Sequence, residues 1–265
     1  WDAHDLLKML VLRLEAYYDI EAIDLNLLER FRKILKEKLP KIPYTIKVLA
    51  GGREQDFNLF NYMLRLSFWR PRDILLHFIS LLELVENSNN VGIEIDDRMI
   101  KDALAQSARK IIDEEFIIEY QNVFYNLKDV LNHFRGMDNI ISMSDFFTII
   151  GEIRFDASFS YDCTDPKNKI LILYQLGILG LRFDENSISN RGYTHHICFN
   201  FNEGLNPIYD TVIDRNTISN DADIVINPLF CKAFNISITT PELIGNYDWE
   251  YIKKLTIEKS SKRRF

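Results

Sequence analysis

The sequence is poor in cysteine and lacks long apolar runs. Cys163, Cys198 and Cys231 lie far apart and form no CxxC pair, so we expect free thiols in a reducing compartment, the cytoplasm. No apolar stretch approaches the roughly 20 residues that a membrane helix needs. Ten glycines and seven prolines leave little room for a long disordered linker. These absences indicate a globular protein without a disulfide framework or a membrane span.

Several sequence motifs of catalysis are also missing. There is no GxxxxGK[ST] loop to hold nucleotide phosphates, no apolar strand ending in paired acidic residues, and no GxSxG, HExxH or GxGxxG. The adjacent His195 and His196 lie on a predicted strand, where neighbouring side chains point to opposite faces. We therefore expect neither a catalytic residue nor a metal site here, and no enzymatic activity from this chain alone.

The net negative charge argues against a protein that binds nucleic acid mainly through contacts with its phosphates. The chain has 265 residues, enough for one large domain or two ordinary ones, with a net charge of -7. Its only basic run is the tail, interpreted as a solvated end: Lys259, Lys262, Arg263 and Arg264. The chain begins with Trp1 rather than Met, which suggests a fragment, a trimmed chain or the later part of a longer polypeptide.

Apolar residues at helical spacing dominate the first half. Leu6, Leu7, Leu10, Val11 and Leu14 form one such stripe. We expect a helical domain over residues 1–125. Its helices are predicted at residues 5–18, 25–39 and 57–66, from Pro71 to the Asn-rich run at 87–90, and from residue 96 on towards 125, with a turn at Gly51-Gly52.

In the second half the sequence pattern changes from helices alone to helices and strands. This change predicts a small α+β domain over residues 126–265. Helices are expected at residues 126–134 and 143–153, and a third opens at Asp165-Pro166 and ends at Gly177. Strands are expected at residues 178–183 and 193–201, followed by a closing segment, NPLFCKAFNI. Three helices and a hairpin are the outline of a winged helix, so the fold class expected is mainly α, a helical bundle followed by a winged-helix-like domain.

The segment Arg70-Pro71-Arg72-Asp73 carries the main functional hypothesis. Proline suits the first turn of a helix, and Asp73 complements the positive helix N-terminus. Arg70 and Arg72 bring two guanidinium groups to a helix end that favours anions. Phosphate sensing and a purely structural cap are both consistent with these residues.

The order of elements resembles the region that follows the nucleotide-binding core in bacterial P-loop ATPases of the AAA+, STAND and KAP group. The matching pieces are Trp1 with LLKMLVLRL at residues 6–14, RPRD at Arg70 to Asp73, the loosely spaced Ile95, Ile100 and Ala103, and LILYQLGILG at residues 171–180. The resemblance is specific only at RPRD and YQLGILG; elsewhere it is a likeness in the order of elements.

The resemblance implies a lid whose sensor-2 arginine, Arg70 or Arg72, contacts the terminal phosphate of ATP. The ATP and its Mg²⁺ would be held by a preceding P-loop domain, and this chain would hold no cofactor itself. Expected partners are that domain, neighbouring subunits of an oligomer, and a protein at the winged-helix-like module. Proteins of this group are often linked to anti-phage defence.

Two other functions are compatible with the sequence. A DNA-binding winged helix would use Lys167 and Lys169 at the start of its recognition helix, although Ile170 to Tyr174 are apolar where a DNA-reading helix needs a polar face. DNA binding is therefore not favoured. An enzyme of unrecognised type would need a deep pocket with convergent titratable groups.

Overall fold

The structure is a computed structural model that describes residues 1–21, 25–50, 53–158, 162–183, 197–200, 213–214, 217–218 and 222–238. The backbone groups into two compact units, one containing Trp1–Ser107 and the other the described part of Ala108–Ile244. The expected boundary after residue 125 rests on element type rather than on compactness, and it stays a prediction. The fold is mainly α with small antiparallel sheets, as the sequence predicts at that level.

The first unit is built from helices around one antiparallel hairpin. Helix α1 packs on α2 and α4. The ring of Phe31 on α2 lies 6.2 Å from that of Phe60 and 6.5 Å from that of Phe78, centroid to centroid. The elements are α1 Ala3–Tyr18, α2 Leu27–Lys38, β1 Thr45–Ala50, β2 Arg53–Asn58, α3 Leu59–Arg65, α4 Pro71–Val91 and α5 Asp97–Lys110.

The hairpin corrects the expected helix at residues 57–66. Phe57 pairs with Ile46 across β1 and β2, and α3 begins only at Leu59. Asn58 is the N-cap, because its side-chain oxygen accepts hydrogen bonds from the amides of Phe60 and Asn61 at 2.9 and 3.3 Å. The predicted turn at Gly51-Gly52 lies outside the described residues.

Helix α4 is longer than predicted, since it continues through the Asn-rich run to Val91. Ser88 in that run is buried, and its hydroxyl is 2.9 Å from the carbonyl of Val85 and 3.2 Å from Lys41 Nζ. The helix ends at Gly92, whose φ of 72° is the left-handed conformation that glycine adopts without strain. The segment is thus helical, and in contact with Lys41, although its composition favours a loop.

The second unit starts with the last residues of α5 and contains a four-stranded sheet. Its antiparallel strand order is β3-β8-β4-β5, and α9 packs on β4 while α8 packs on β8. After α5 come a π-helical segment Ile111–Phe116, α6 Ile117–Tyr120, α7 Leu127–Asn132, β3 Ile140–Ile141, α8 Met143–Glu152, α9 Pro166–Gln175, β4 Leu179–Phe183, β5 Ile197–Phe199, β6 Ile213–Asp214, β7 Thr217–Ile218, β8 Ala222–Ile226 and α10 Pro228–Cys231.

Most of the expected elements of this unit are present, with one correction: the helix predicted to run on towards residue 125 ends at Tyr120. The strand predicted at 193–201 is present as Ile197–Phe199 within the described residues. The expected pairing of β4 with β5 is confirmed, while β8 adds a neighbour on the other edge of β4. Within the described residues, no helix has both the length and the apolar character needed to cross a membrane.

Buried Asn227 ties the closing segment to the sheet. Its side-chain oxygen accepts from the amide of Leu229 at 3.0 Å as the N-cap of α10, and its Nδ2 donates to the carbonyl of Gly177 at 3.0 Å. Asn227→Ala should lower the free energy of unfolding by about 2–4 kcal/mol, because both partners lose a buried hydrogen bond. Urea unfolding followed by circular dichroism measures this.

Ser142→Ala is the matched control, since Ser142 is a more exposed N-cap in the same unit that accepts from the amide of Asp145 at 3.1 Å. Ser142→Ala should lower the free energy of unfolding by only about 1 kcal/mol. Equal losses for the two variants would show that the bond to Gly177 contributes nothing.

Candidate functional site

The chain enters α4 through a buried turn made by Ser67, Phe68 and Trp69. The hydroxyl of Ser67 donates to the carbonyl of Leu64 at 2.9 Å and accepts from the amide of Trp69 at 3.1 Å. Trp69 has a φ of 56°, a left-handed conformation that costs a residue other than glycine about 1–2 kcal/mol. Burial of the indole and the hydrogen bonds hold the turn in this conformation.

Asp73 fixes the same turn from inside the helix. Its carboxylate is fully buried, and Oδ2 accepts a hydrogen bond from the amide of Phe68 at 2.8 Å. A carboxylate in the first turn also interacts favourably with the helix dipole. Asp73 therefore contributes to the structure of this turn, and this contribution is compatible with both interpretations of the segment.

Arg70 and Arg72 lie together at the N-terminus of α4, as the motif predicts. Arg70 is the N-cap, with the extended backbone expected before a proline, and its side chain makes no capping hydrogen bond. Its half-buried guanidinium lies over the ring of Phe68, 5.1 Å from the centroid. Arg72, in the first turn, is exposed. This end of the helix thus combines two permanent positive charges with a rigid, buried base.

A buried histidine joins this helix to its neighbours. His77, one turn after Asp73, has no exposed surface; Nε2 lies 2.7 Å from the carbonyl of Leu66, and Nδ1 lies 2.5 Å from the hydroxyl of Ser107 on α5. A carbonyl only accepts, so Nε2 carries the proton. Burial lowers the pKa of His77 to about 4, although the bond to the Leu66 carbonyl acts in the opposite direction.

The two lysines predicted for the DNA-binding alternative lie in different environments. Lys167 is exposed, whereas Lys169 is buried. The ammonium of Lys169 donates to the carbonyls of Ile150, Gly151 and Ile153 at 3.1, 3.2 and 2.6 Å. These carbonyls belong to the end of α8, where a cation also complements the helix dipole. Burial lowers the pKa of Lys169, against a smaller opposing effect of Cys163.

The described part of the chain contains one group of potential metal ligands, at the start of α1. Ligand atoms of Asp2, His4 and Asp5 lie within 4.8 Å of one another. Asp2 is already the N-cap, accepting from the amide of Asp5 at 2.8 Å. Two carboxylates at the positive end of a helix are explained by capping and by the dipole, which disfavours a cation there. His195 and His196 lie outside the described residues.

Cys163 and Cys231 are free thiols. Cys231 is the buried last residue of α10. Burial, together with Asp162, raises the pKa of the Cys163 thiol, and Lys169 opposes this shift. A raised pKa reduces the fraction of reactive thiolate. Neither thiol therefore has the properties of a nucleophile.

Sequence reasoning located the arginines but missed the groups that support them. The hydrogen bonds of His77 to Leu66 and Ser107 connect residues 11 and 30 positions apart. A lone histidine on an apolar helix face gives no local signal of such partners. The contacts of Lys169 with the end of α8 were likewise invisible, since a lysine in the first turn of a helix is usually solvated.

Comparisons with models of known protein families, with characterised proteins and with solved structures found no match to this chain. The geometry of the described residues therefore carries the functional argument.

The stability of the chain should depend on pH through His77. The unfolded histidine binds a proton near pH 6.5 and the folded one only near pH 4, so the unfolded state holds more protons between these values. The free energy of unfolding should fall by about 3 kcal/mol as the pH drops through this window. Urea unfolding at several pH values from 4.5 to 7.5 would measure the slope.

His77→Gln should remove this part of the slope, because glutamine does not titrate. His133→Gln, a change of an exposed imidazole, is the control and should keep it. An unchanged slope in the His77 variant would refute the assignment.

Lys169→Met should destabilise the second unit by about 2–3 kcal/mol, because it leaves carbonyls at the end of α8 without a donor in a buried environment. Lys167→Met, at the exposed lysine of the same helix, should change the free energy of unfolding by less than about 0.5 kcal/mol. Thermal and urea unfolding of both variants test this, and similar losses would contradict the capping role.

Proposed function

We propose that this chain is the regulatory region that follows the ATP-binding core of a P-loop ATPase, and that it couples the nucleotide state to conformation or assembly. Arg70 and Arg72 would contact the terminal phosphate of an ATP whose Mg²⁺ and phosphates are held by a preceding P-loop domain. The observation that carries the proposal is that both arginines lie at the N-terminus of one long helix, which directly follows a buried turn with Trp69 in the left-handed conformation.

The chemistry of this helix end suits a polyphosphate. Arginine presents a planar fork of donors that fits phosphate oxygens, and its charge does not depend on pH in the physiological range. The helix dipole adds favourable potential for an anion. Contacts with a phosphate that ATP has and ADP lacks would give the two nucleotide states different binding energies, which is the requirement for a ligand to shift a conformational equilibrium.

The buried turn at Ser67 to Trp69, directly before the arginines, supports a sensing role rather than a merely charged surface. The backbone of Arg70 follows directly on Trp69, whose left-handed conformation is held by burial and by Ser67. The backbone that carries Arg70 is thus ordered before binding, which lowers the entropy cost of a contact made there. Asp73 supplies the second anchor of the same turn.

For the second unit we propose a winged-helix-like module, made by α7, α8, α9 and the β4–β5 hairpin, that contacts a protein partner or a neighbouring subunit. The capping of α8 by Lys169 supports a protein over DNA, because this lysine is occupied inside the fold and α9 is otherwise largely apolar. In line with the resemblance of the sequence, we place the protein in the cytoplasm and the whole ATPase in a bacterial defence role.

Calorimetric titration of the longer polypeptide, which includes the proposed P-loop domain, with ATP and with ADP tests the phosphate contact. The wild type should prefer ATP, and the double variant Arg70→Ala/Arg72→Ala should reduce that preference about tenfold or more, the effect of losing charge-assisted hydrogen bonds. This chain alone should bind neither nucleotide, since the phosphate-holding loop is expected elsewhere.

Arg98→Ala is the matched control, because Arg98 lies in the first turn of α5 with a side chain that is 89% exposed. It should leave both affinities unchanged. If ATP and ADP bind the wild type and the double variant equally well, the N-terminus of α4 is a structural cap only.

A further inference from the structure

The helix that begins with α5 changes its winding without ending. The backbone remains helical at Lys110 (φ -61°, ψ -44°) and at Phe116 (φ -63°, ψ -51°). Between them the winding is π: the amide of Ile117 donates to the carbonyl of Ile112, five residues back. The amide of Gln121 again donates to Ile117, four residues back. Such π segments are rare in proteins, and they are frequently found at functional sites.

The π winding decides which side chains are buried. In an α-helix each residue turns the chain by about 100°, so residues five apart point about 140° away from each other. In a π-helix they lie nearly one above the other. Ile111 and Phe116 are accordingly both buried, and the ring of Phe116 packs edge-on against Phe230 at 5.2 Å. The segment thus holds one residue more than an α-helix would need to join these two positions.

The sequence contains apolar residues for a second register as well. The buried stripe of Ile100, Leu104 and Ala108 on α5 reaches Ile111 at the start of the π segment. In α winding this stripe would continue to Glu115 and Ile118. In the present register Glu115 is half-buried and Ile118 is 52% exposed. The buried positions have moved instead to Ile112 and Phe116. An exposed isoleucine stands where uninterrupted α periodicity would bury one.

We propose that the π segment Ile111–Phe116 is a register switch, which exchanges between the π winding and an α winding that retains every residue. The change would turn the chain after Phe116 by about 100°. It would withdraw Phe116 from Phe230 and bury Ile118. Glu115 opposes the α register, because its carboxylate would then face the interior. The α register is therefore a minor state, in the usual range of about 0.1–10%. This switch does not depend on the nucleotide proposal.

Relaxation dispersion of isoleucine δ1 methyl groups in the 265-residue chain tests the switch, because it detects exchange on the microsecond-to-millisecond scale. The methyls of Ile111, Ile112, Ile117 and Ile118 should show dispersion with one common rate. The relaxation dispersion profile of the Ile34 methyl, on α2, should be flat. Deletion of Glu114 should abolish the dispersion, since it removes the surplus residue and leaves Ile111 and Phe116 four positions apart, on one face of an α-helix.

Ile118→Ser provides a second test that does not alter the chain length. It should reduce the minor population at least about tenfold, because the α register would no longer bury an isoleucine. Ile79→Ser, at an isoleucine on α4 that is 48% exposed, is the control and should leave the dispersion unchanged. A flat wild-type profile, or a dispersion that survives either change, overturns the proposal. If the deletion prevents folding, the serine comparison decides.

Discussion

The amide of Phe68 donates a hydrogen bond to the carboxylate of Asp73, and both residues are buried. This contact spans five residues and closes the turn through which the chain enters α4. A carboxylate in the interior needs donors of this kind, because an uncompensated buried charge is costly. The backbone of Arg70 is extended, as expected before a proline, and α4 begins at Pro71 directly after this turn. Arg70 and Arg72 both lie at the N-terminus of α4 because the helix begins at Pro71.

Buried polar groups connect elements in both units, and in each case the connection spans a long stretch of sequence. His77 meets a carbonyl at the end of α3 and a hydroxyl on α5, and Asn227 meets the carbonyl after α9. Lys169 meets three carbonyls at the end of α8. A polar group in the interior needs such partners, so each of them also specifies which elements become neighbours. These contacts add specificity to packing that is otherwise apolar.

Local chemistry made several elements predictable. Pro71 and Asp73 marked the start of α4, Asp165-Pro166 marked the start of α9, and Gly177 marked its end with a φ of 73°. The hairpin β1–β2 was missed, although Ile46 and Val48 are buried on either side of Lys47, which is the alternation of a strand. The four alternating residues Thr45 to Val48 are a weak signal beside the helical pattern at Leu59. The continuation of α4 through the Asn-rich run was missed because composition favours a loop there.

The sequence by itself determined the mainly helical class, the starts and ends of elements that carry proline, glycine or capping residues, and the position of Arg70 and Arg72 at a helix N-terminus. These features depend on dihedral preferences and on hydrogen bonds within a few residues. Only the tertiary structure decided that Lys169 caps α8, that His77 is neutral and bridges three elements, and that Ile111–Phe116 winds as a π-helix. Each of these depends on which distant side chain, carbonyl or ring completes the contact, and a buried group takes the state that its neighbours, rather than its own chemistry, make lowest in free energy.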